Sequence, residues 1–116
     1  MMKENQGTNI GIKELPKKFK GKGEVKGYSF TQIDNQDGVY IYRVEDDESN
    51  NDHYEVFNRK LMHPHPRMNP QPEWDKYVQY PASGAFGISA WTCRTYEDAL
   101  VRYYPMREKR RKKALS

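Results

Sequence analysis

Apolar and polar residues alternate most clearly in two stretches, Tyr28-Ser29-Phe30-Thr31-Gln32-Ile33 and Val39-Tyr40-Ile41-Tyr42-Arg43-Val44. Alternation with a period of two, carried by aromatic and β-branched residues, predicts two strands. Asp34 to Gly38 joins them, and the Asp37-Gly38 pair tolerates positive φ, so the pattern predicts a β-hairpin with a short irregular loop. The run Glu45 to Asp52 is too polar to continue a strand. His53 to Lys60 then alternates again, and so short a connection predicts a third strand returning antiparallel, in a meander. On that strand Tyr54, Val56 and Asn58 share one face, and Glu55, Phe57 and Arg59 the other.

Residues 62–73 (MHPHPRMNPQPE) contain four of the seven prolines and read as a long surface loop. Trp74 to Tyr80 is expected to form a short strand or a turn of helix, and Pro81 to Gly87 a second loop. Ile88 to Cys93 looks strand-like. Thr95 then stands as a helix cap, with Glu97 and Asp98 in the first turn where the dipole favours them. Tyr96, Ala99, Leu100 and Tyr103 fall on one face of the helix that follows. Pro105 is expected to interrupt that helix, and residues 106–116, helical or not, form a basic segment with little to bury and are expected to stay unpacked.

These elements predict an α+β fold: an antiparallel meander of four or five strands with one C-terminal helix, Tyr96 to Tyr104, packed on one face. Trp91, Phe57, Leu100 and Tyr103 are expected in its core. Only 35% of the residues are hydrophobic, so the core must lean on nine Tyr, four Phe and two Trp. Residues 27–104 form the domain on this reading. Residues 1–26, with isolated Ile10, Ile12, Leu15 and Phe19, read as a flexible basic arm, the alternative being that Ile10, Ile12 and Leu15 dock as an edge segment.

Charge divides the chain the same way. The net charges of residues 1–26, 27–104 and 105–116 are +4, −5 and +5, an acidic core between basic tails. The tails bring in nucleic acid as a function, since Lys17, Lys18, Lys20, Lys22, Arg107, Lys109, Arg110, Arg111, Lys112 and Lys113 can neutralise phosphates. Charge alone carries no base specificity, and an acidic core does not itself belong on DNA. The surfaces suited to a protein partner are the acidic loop (Asp46, Asp47, Glu48) and the proline-rich loop with its flank (His63, His65, Arg67, Trp74).

Other chemistry is thinly supplied. Tyr28, Phe30, Tyr40, Tyr42, Tyr54 and Phe57 read as an aromatic core before they read as a base-stacking sheet. His63 and His65, with His53 or Cys93, match no closed zinc spacing, so no metal and no cofactor is expected. Cys93 is the single cysteine, which excludes an internal disulfide and leaves one nucleophile that no motif activates. The segment from Gly84 to Gly87 lacks the Lys of a phosphate loop. The expectation is therefore a protein without enzymatic activity. It has no apolar run long enough to span a membrane and no secretory start, so a cytoplasmic location is expected.

The stretch from Tyr80-Pro81 through Phe86-Gly87 and Trp91-Thr92 to Thr95-Tyr96-Glu97-Asp98-Ala99, preceded by Tyr54-Glu55-Val56-Phe57, resembles small proteins of bacteriophages and mobile elements that share a YP, aromatic-Gly, WT and (S/T)-x-E-x-A order. The resemblance implies an antiparallel sheet with one C-terminal helix, in the cytoplasm of a bacterial host, and no known activity. Phe86-Gly87-Ile88 is also similar in position to the Trp-Gly-Arg of the WGR domain, a nucleic-acid-associated module; with Trp and Arg both replaced, that similarity bears on the fold and on the nucleic-acid alternative. The leading expectation is an accessory protein that binds a host or viral protein, with nucleic-acid binding through the tails as the alternative.

Overall fold

The computed structural model describes residues 11–49 and 51–115, which form two compact units. In chain order the elements are β1 (Ile12–Lys13), β2 (Lys18–Lys20), β3 (Tyr28–Gln36), β4 (Val39–Asp46), β5 (Asp52–Asn58), β6 (Leu61–Met62), β7 (Lys76–Val78), β8 (Ala90–Cys93) and α1 (Tyr96–Leu115).

The larger unit comprises residues 16–59 and 81–115. Its sheet has the order β2-β3-β4-β5-β8, antiparallel at every pairing, with α1 packed on one face. The fold is α+β, as the pattern predicted. The β3–β4 hairpin is tighter than expected: the strands run on to Gln36 and Val39, and only Asp37 and Gly38, both at positive φ, make the turn. Two successive residues in the left-handed region match the twist of the flanking strands. The irregularity sits inside β3, where the register shifts between Gln32 and Asp34 and Ile33 is the extra residue of a bulge.

Both faces of the central strands are buried. Val39, Ile41 and Val56, with Cys93, pack under Ala99 and Tyr103 of α1. On the opposite face Phe30, Tyr40, Tyr42, Val44 and Phe57 are also buried, with Phe19 stacked on Phe30 at 4.6 Å and Tyr42 on Phe57 at 5.8 Å. The Tyr42 hydroxyl donates to the Pro16 carbonyl (2.7 Å) and accepts from Gln32 (2.9 Å), so its polar end is satisfied. Phe57 is thus a core residue but not under the helix, because the two-residue period turns it away from Val56. Tyr103 faces the sheet from the helix, in the core as expected, and Trp91 and Leu100 pack against that cluster half-buried.

Two stretches read as tails are structured. Lys18–Lys20 is the edge strand β2, held by the Phe19–Phe30 stack. Helix α1 does not end at Pro105 but continues to Leu115. A proline inside a helix forfeits the bond to the carbonyl four residues earlier, here that of Val101. Val101 is 71% exposed, so water can reach the side of the helix on which that carbonyl lies.

The smaller unit comprises residues 11–15 and 60–80 among those described. Its sheet has the order β1-β7-β6: Ile12 and Lys13 run parallel to Lys76 and Tyr77, and Leu61 and Met62 antiparallel to Val78 and Tyr77. The docking alternative for Ile12 is therefore realised by a strand pairing, while Ile10 lies outside the described residues. Trp74 to Tyr80 contributes the strand β7. Lys13 sits over the Trp74 ring at 5.6 Å, and Trp74 meets Tyr77 edge-on at 5.5 Å. The proline-rich loop is closed on itself by Gln71, whose side-chain amide donates to the carbonyls of Met68 (2.7 Å) and Pro66 (2.9 Å).

Candidate functional site

The two flanks of α1 are set by its 3.6-residue period. Thr95 caps the helix, its hydroxyl accepting from the Asp98 amide at 3.1 Å, and fixes the phase in which Ala99 and Tyr103 face the sheet. On one flank this leaves Arg107 and Arg111, with Arg110 between the flanks, above the β3–β4 turn. Arg107 Nε donates to Asp37 Oδ2 at 3.1 Å, Arg111 Nε lies 3.5 Å from the same oxygen, and Arg110 Nε donates to the Asp37 carbonyl at 2.9 Å. The Asp37 hydrogen bond, ahead of other causes, raises the Arg107 pKa above its ordinary value. The Arg110 guanidinium lies where a side chain at Gly38 would start, so the glycine serves both the turn and the close approach.

The other flank of α1 carries Arg102, Met106, Lys109 and Lys113 at spacings of three and four, and faces β8. The turn before β8 folds on itself: Gly87, at a φ of +92°, donates to the Ala90 carbonyl at 2.6 Å, and Ile88 and Ser89 donate to the Ala85 carbonyl at 3.0 and 2.9 Å. Its tip throws Ile88 outward, 77% exposed. Trp91 stands on the helix side of β8, and the Arg102 guanidinium lies 5.0 Å from its ring centroid. Between flank and strand lies a groove of about 560 Å³ whose lining includes Ile88, Trp91, Met106, Asn58, Lys109 and Arg110, with Lys113 beside them. The Asn58 Oδ1 atom is buried and no protein donor reaches it.

The basic residues singled out in sequence are thus not one surface. Lys109, Arg110 and Lys113 meet at the groove, and Arg107, Arg110 and Arg111 at the Asp37 turn, while Lys112 is exposed elsewhere on α1. Lys17, Lys18, Lys20 and Lys22 lie in or beside β2, at the sheet edge opposite β8. Lys20 is engaged there, donating to Ser29 (2.6 Å) and pairing with Asp47 at 3.3 Å. The Ser29 hydroxyl foremost, and Lys20 after it, hold the Asp47 carboxyl below the usual carboxylate range.

The acidic loop is similarly used within the chain. Asp46 accepts the Glu48 amide at 3.0 Å, and Arg43 Nη2 lies 2.7 Å from Asp52 Oδ2 and 3.9 Å from Glu45. Asp47 and Glu48 are exposed. In the smaller unit His63, His65 and Arg67 are exposed and Trp74 half-buried, with His65 Nδ1 accepting the Arg67 amide at 3.0 Å.

For Cys93 the sheet is a barrier. It pairs with Tyr54 and faces the helix, whereas His53 points to the opposite face, 3.2 Å from Glu55. Burial pushes the Cys93 thiol up, away from the reactive thiolate. Among the described residues no group of His, Cys, Asp or Glu could hold a metal ion. The aromatic residues weighed for base stacking are largely interior, Phe30, Tyr40, Tyr42 and Phe57 being buried and Tyr28 and Tyr54 half-buried. No described helix is long and apolar enough to cross a membrane.

Ile88, Met106, Asn58 and Arg102 had not been singled out in sequence. The Met106-Lys109-Arg110-Lys113 spacing was the available signal, since it places one methionine among cations on a single helical flank. Compared with known proteins, the chain matches no family model, no curated protein and no solved structure.

Proposed function

We propose that the protein is a small non-enzymatic binding module that grips another protein through the groove between α1 and β8. The observation that carries this is the exposed Ile88 beside Trp91 and Met106, an apolar floor ringed by cations. Trp, Met and Arg are the residues enriched at protein interfaces, and methionine adapts its shape to what it meets. The buried, unactivated Cys93 supports a role without catalysis. The resemblance of residues 80–99 to phage and mobile-element proteins supports an accessory role toward a host or viral protein in the bacterial cytoplasm.

Ile88→Asp tests this. The side chain is exposed, so the fold should keep its stability within about 0.5 kcal/mol. In nuclease-treated cell extract the parent chain should retain a defined protein that the variant loses. Equal retention by both chains would remove the groove from the account.

Nucleic acid is the second reading, favoured by the exposed lysines Lys17, Lys18, Lys22, Lys109 and Lys112. It ranks lower because Arg107, Arg110 and Arg111 are engaged at Asp37 and a face of Trp91 is taken by Arg102. An oligonucleotide titration at two salt concentrations decides it: real phosphate contacts give affinity that falls steeply with salt.

A further inference from the structure

We infer that the protein pairs with a second copy of itself through the outward face of α1, the two helices lying antiparallel. This goes beyond the groove and uses none of its lining. The first observation is a row of exposed apolar side chains. Val101, Tyr104 and Leu115 are 71%, 56% and 84% exposed, and at about 3.6 residues per turn they fall with Pro105 on the side of the helix away from Ala99 and Tyr103. Apolar residues scattered singly over a surface are ordinary; a row of them down one face marks an interaction surface.

Charge says what covers it. The same face begins with Glu97 and Asp98 and ends with Lys112 and Leu115. Among the described residues the side chains of Glu97 and Lys112 have no hydrogen bond or ion pair within the chain. The larger unit is polarised in the same sense. At one end of β4, Asp46 and Asp52 adjoin Asp98 about one cleft, and at the other end the basic half of α1 meets the Asp37 turn. The one acid in that half, Glu108, has Arg111 at 3.9 Å on the same helix. A face that reads acid, apolar, base in one direction is its own complement when turned end for end, which is what a twofold contact requires. Antiparallel packing also opposes the two helix dipoles.

The spacing fits this arrangement. With Tyr104 of one copy opposite Pro105 of the other, Glu97 and Lys112 fall opposite one another two turns from the centre, and that contact occurs twice. Val101 and Tyr104 of both copies then enclose one apolar centre. Pro105 gives no N–H to the Val101 carbonyl, so an acceptor lies on this face as well, and a tyrosine hydroxyl is a donor of the kind it needs. Other occupants match less of the surface. A nucleic-acid strand would meet Glu97 and Asp98 at the acidic end, and a protein surface of uniform charge would oppose one end or the other.

One helix face about 30 Å long makes a small interface, so the dimer should be weak, with a Kd on the order of 100 µM. Sedimentation equilibrium of the full chain from about 10 µM to about 1 mM should give a reversible monomer–dimer curve. Val101→Lys should weaken self-association about tenfold while circular dichroism stays that of the parent. Glu97→Lys and Lys112→Glu should each weaken it by a similar factor, because each sets like charges opposite one another twice. Mixed in equal amounts these two variants should associate again, since each copy then meets its opposite charge at both contacts. A chain carrying both substitutions should dimerise like the parent. Ile88→Asp, which alters the groove, should leave the curve unmoved.

A chain that stays monomeric over the whole range overturns the inference and leaves the outward face to a different protein. A dimer indifferent to Val101→Lys overturns it as well. Charge variants that stay apart when mixed overturn the antiparallel arrangement. Loss of the dimer on Ile88→Asp, with Val101→Lys unaffected, would move self-association to the groove and strike the outward face from the account.

Discussion

Residues 96–104 and residues 106–115 belong to one helix yet attach to the sheet by opposite chemistry. The first half buries Ala99 and Tyr103 completely, with Leu100 packed beside them. Beyond Pro105 no described residue is fully buried: Met106 packs half-buried against the same cluster, and past it the helix is held by arginines on one carboxylate and one carbonyl of the Asp37 turn. Burial is non-directional and insensitive to salt; ion pairs at half-exposed positions are directional and screened. One half therefore secures the fold, while the other is positioned by the turn and leaves its far flank, with Met106 and Lys109, to face the groove.

Tyr103→Ala should break that comparison most severely. Removing a fully buried aromatic ring costs about 3–5 kcal/mol, a large part of the ~5–15 kcal/mol that holds a typical domain together. Thermal unfolding followed by circular dichroism should move down steeply or lose its cooperativity. The neighbouring Tyr104, 56% exposed, is the internal control, and Tyr104→Ala should stay within about 0.5 kcal/mol of the parent. Similar losses at the two positions would contradict the idea that burial, and not helix propensity, anchors the first half.

Gly38→Ala reaches the second half from the turn. The left-handed φ of +78° at this position costs a non-glycine residue roughly 1–2 kcal/mol. In addition a Cβ there would lie 2.6 Å from Arg110 Nε, so the guanidinium must withdraw. In an Arg110→Ala background only the φ cost remains, and the penalty measured by denaturant unfolding should shrink. An identical penalty in both backgrounds would show that Arg110 does not rest on the turn in solution.

What could be read from the chain follows the same line. The hairpin was legible because Asp37-Gly38 is a local demand for positive φ, and the helix start because Thr95 caps the Asp98 amide while Glu97 and Asp98 lie where the helix dipole favours acids. The docking of the stretch past Pro105 was not, since what holds it is Met106 against the core and Asp37, some 70 positions earlier in sequence. The β2 strand was missed for a related reason: Phe19 is a lone apolar residue without period, and only the distant ring of Phe30 gives it a place to stack. The charge of residues 107–113 was plain, but its division between a docked flank and a groove flank depends on the helical phase across the proline. Ile88 was read as the start of a strand; the turn closed by Gly87 and Ala85 makes it an exposed tip instead.

Asp37→Asn is the gentlest of these changes and the most selective. Asparagine tolerates the positive φ of 54° at this position as well as aspartate does, so the turn is kept and only the charge is lost. The Arg110 bond to the residue-37 carbonyl also survives, whereas the pairs with Arg107 and Arg111 do not. Amide hydrogen exchange should then quicken roughly two- to fivefold over residues 106–115, the scale of partly exposed ion pairs, with residues 96–104 unchanged. Raising the salt concentration on the parent chain should reproduce the same pattern, because it screens the same attraction. If exchange rose equally along the whole helix, the two halves would be one cooperative unit, and the separation between a part that secures the fold and a part that presents the groove would fall.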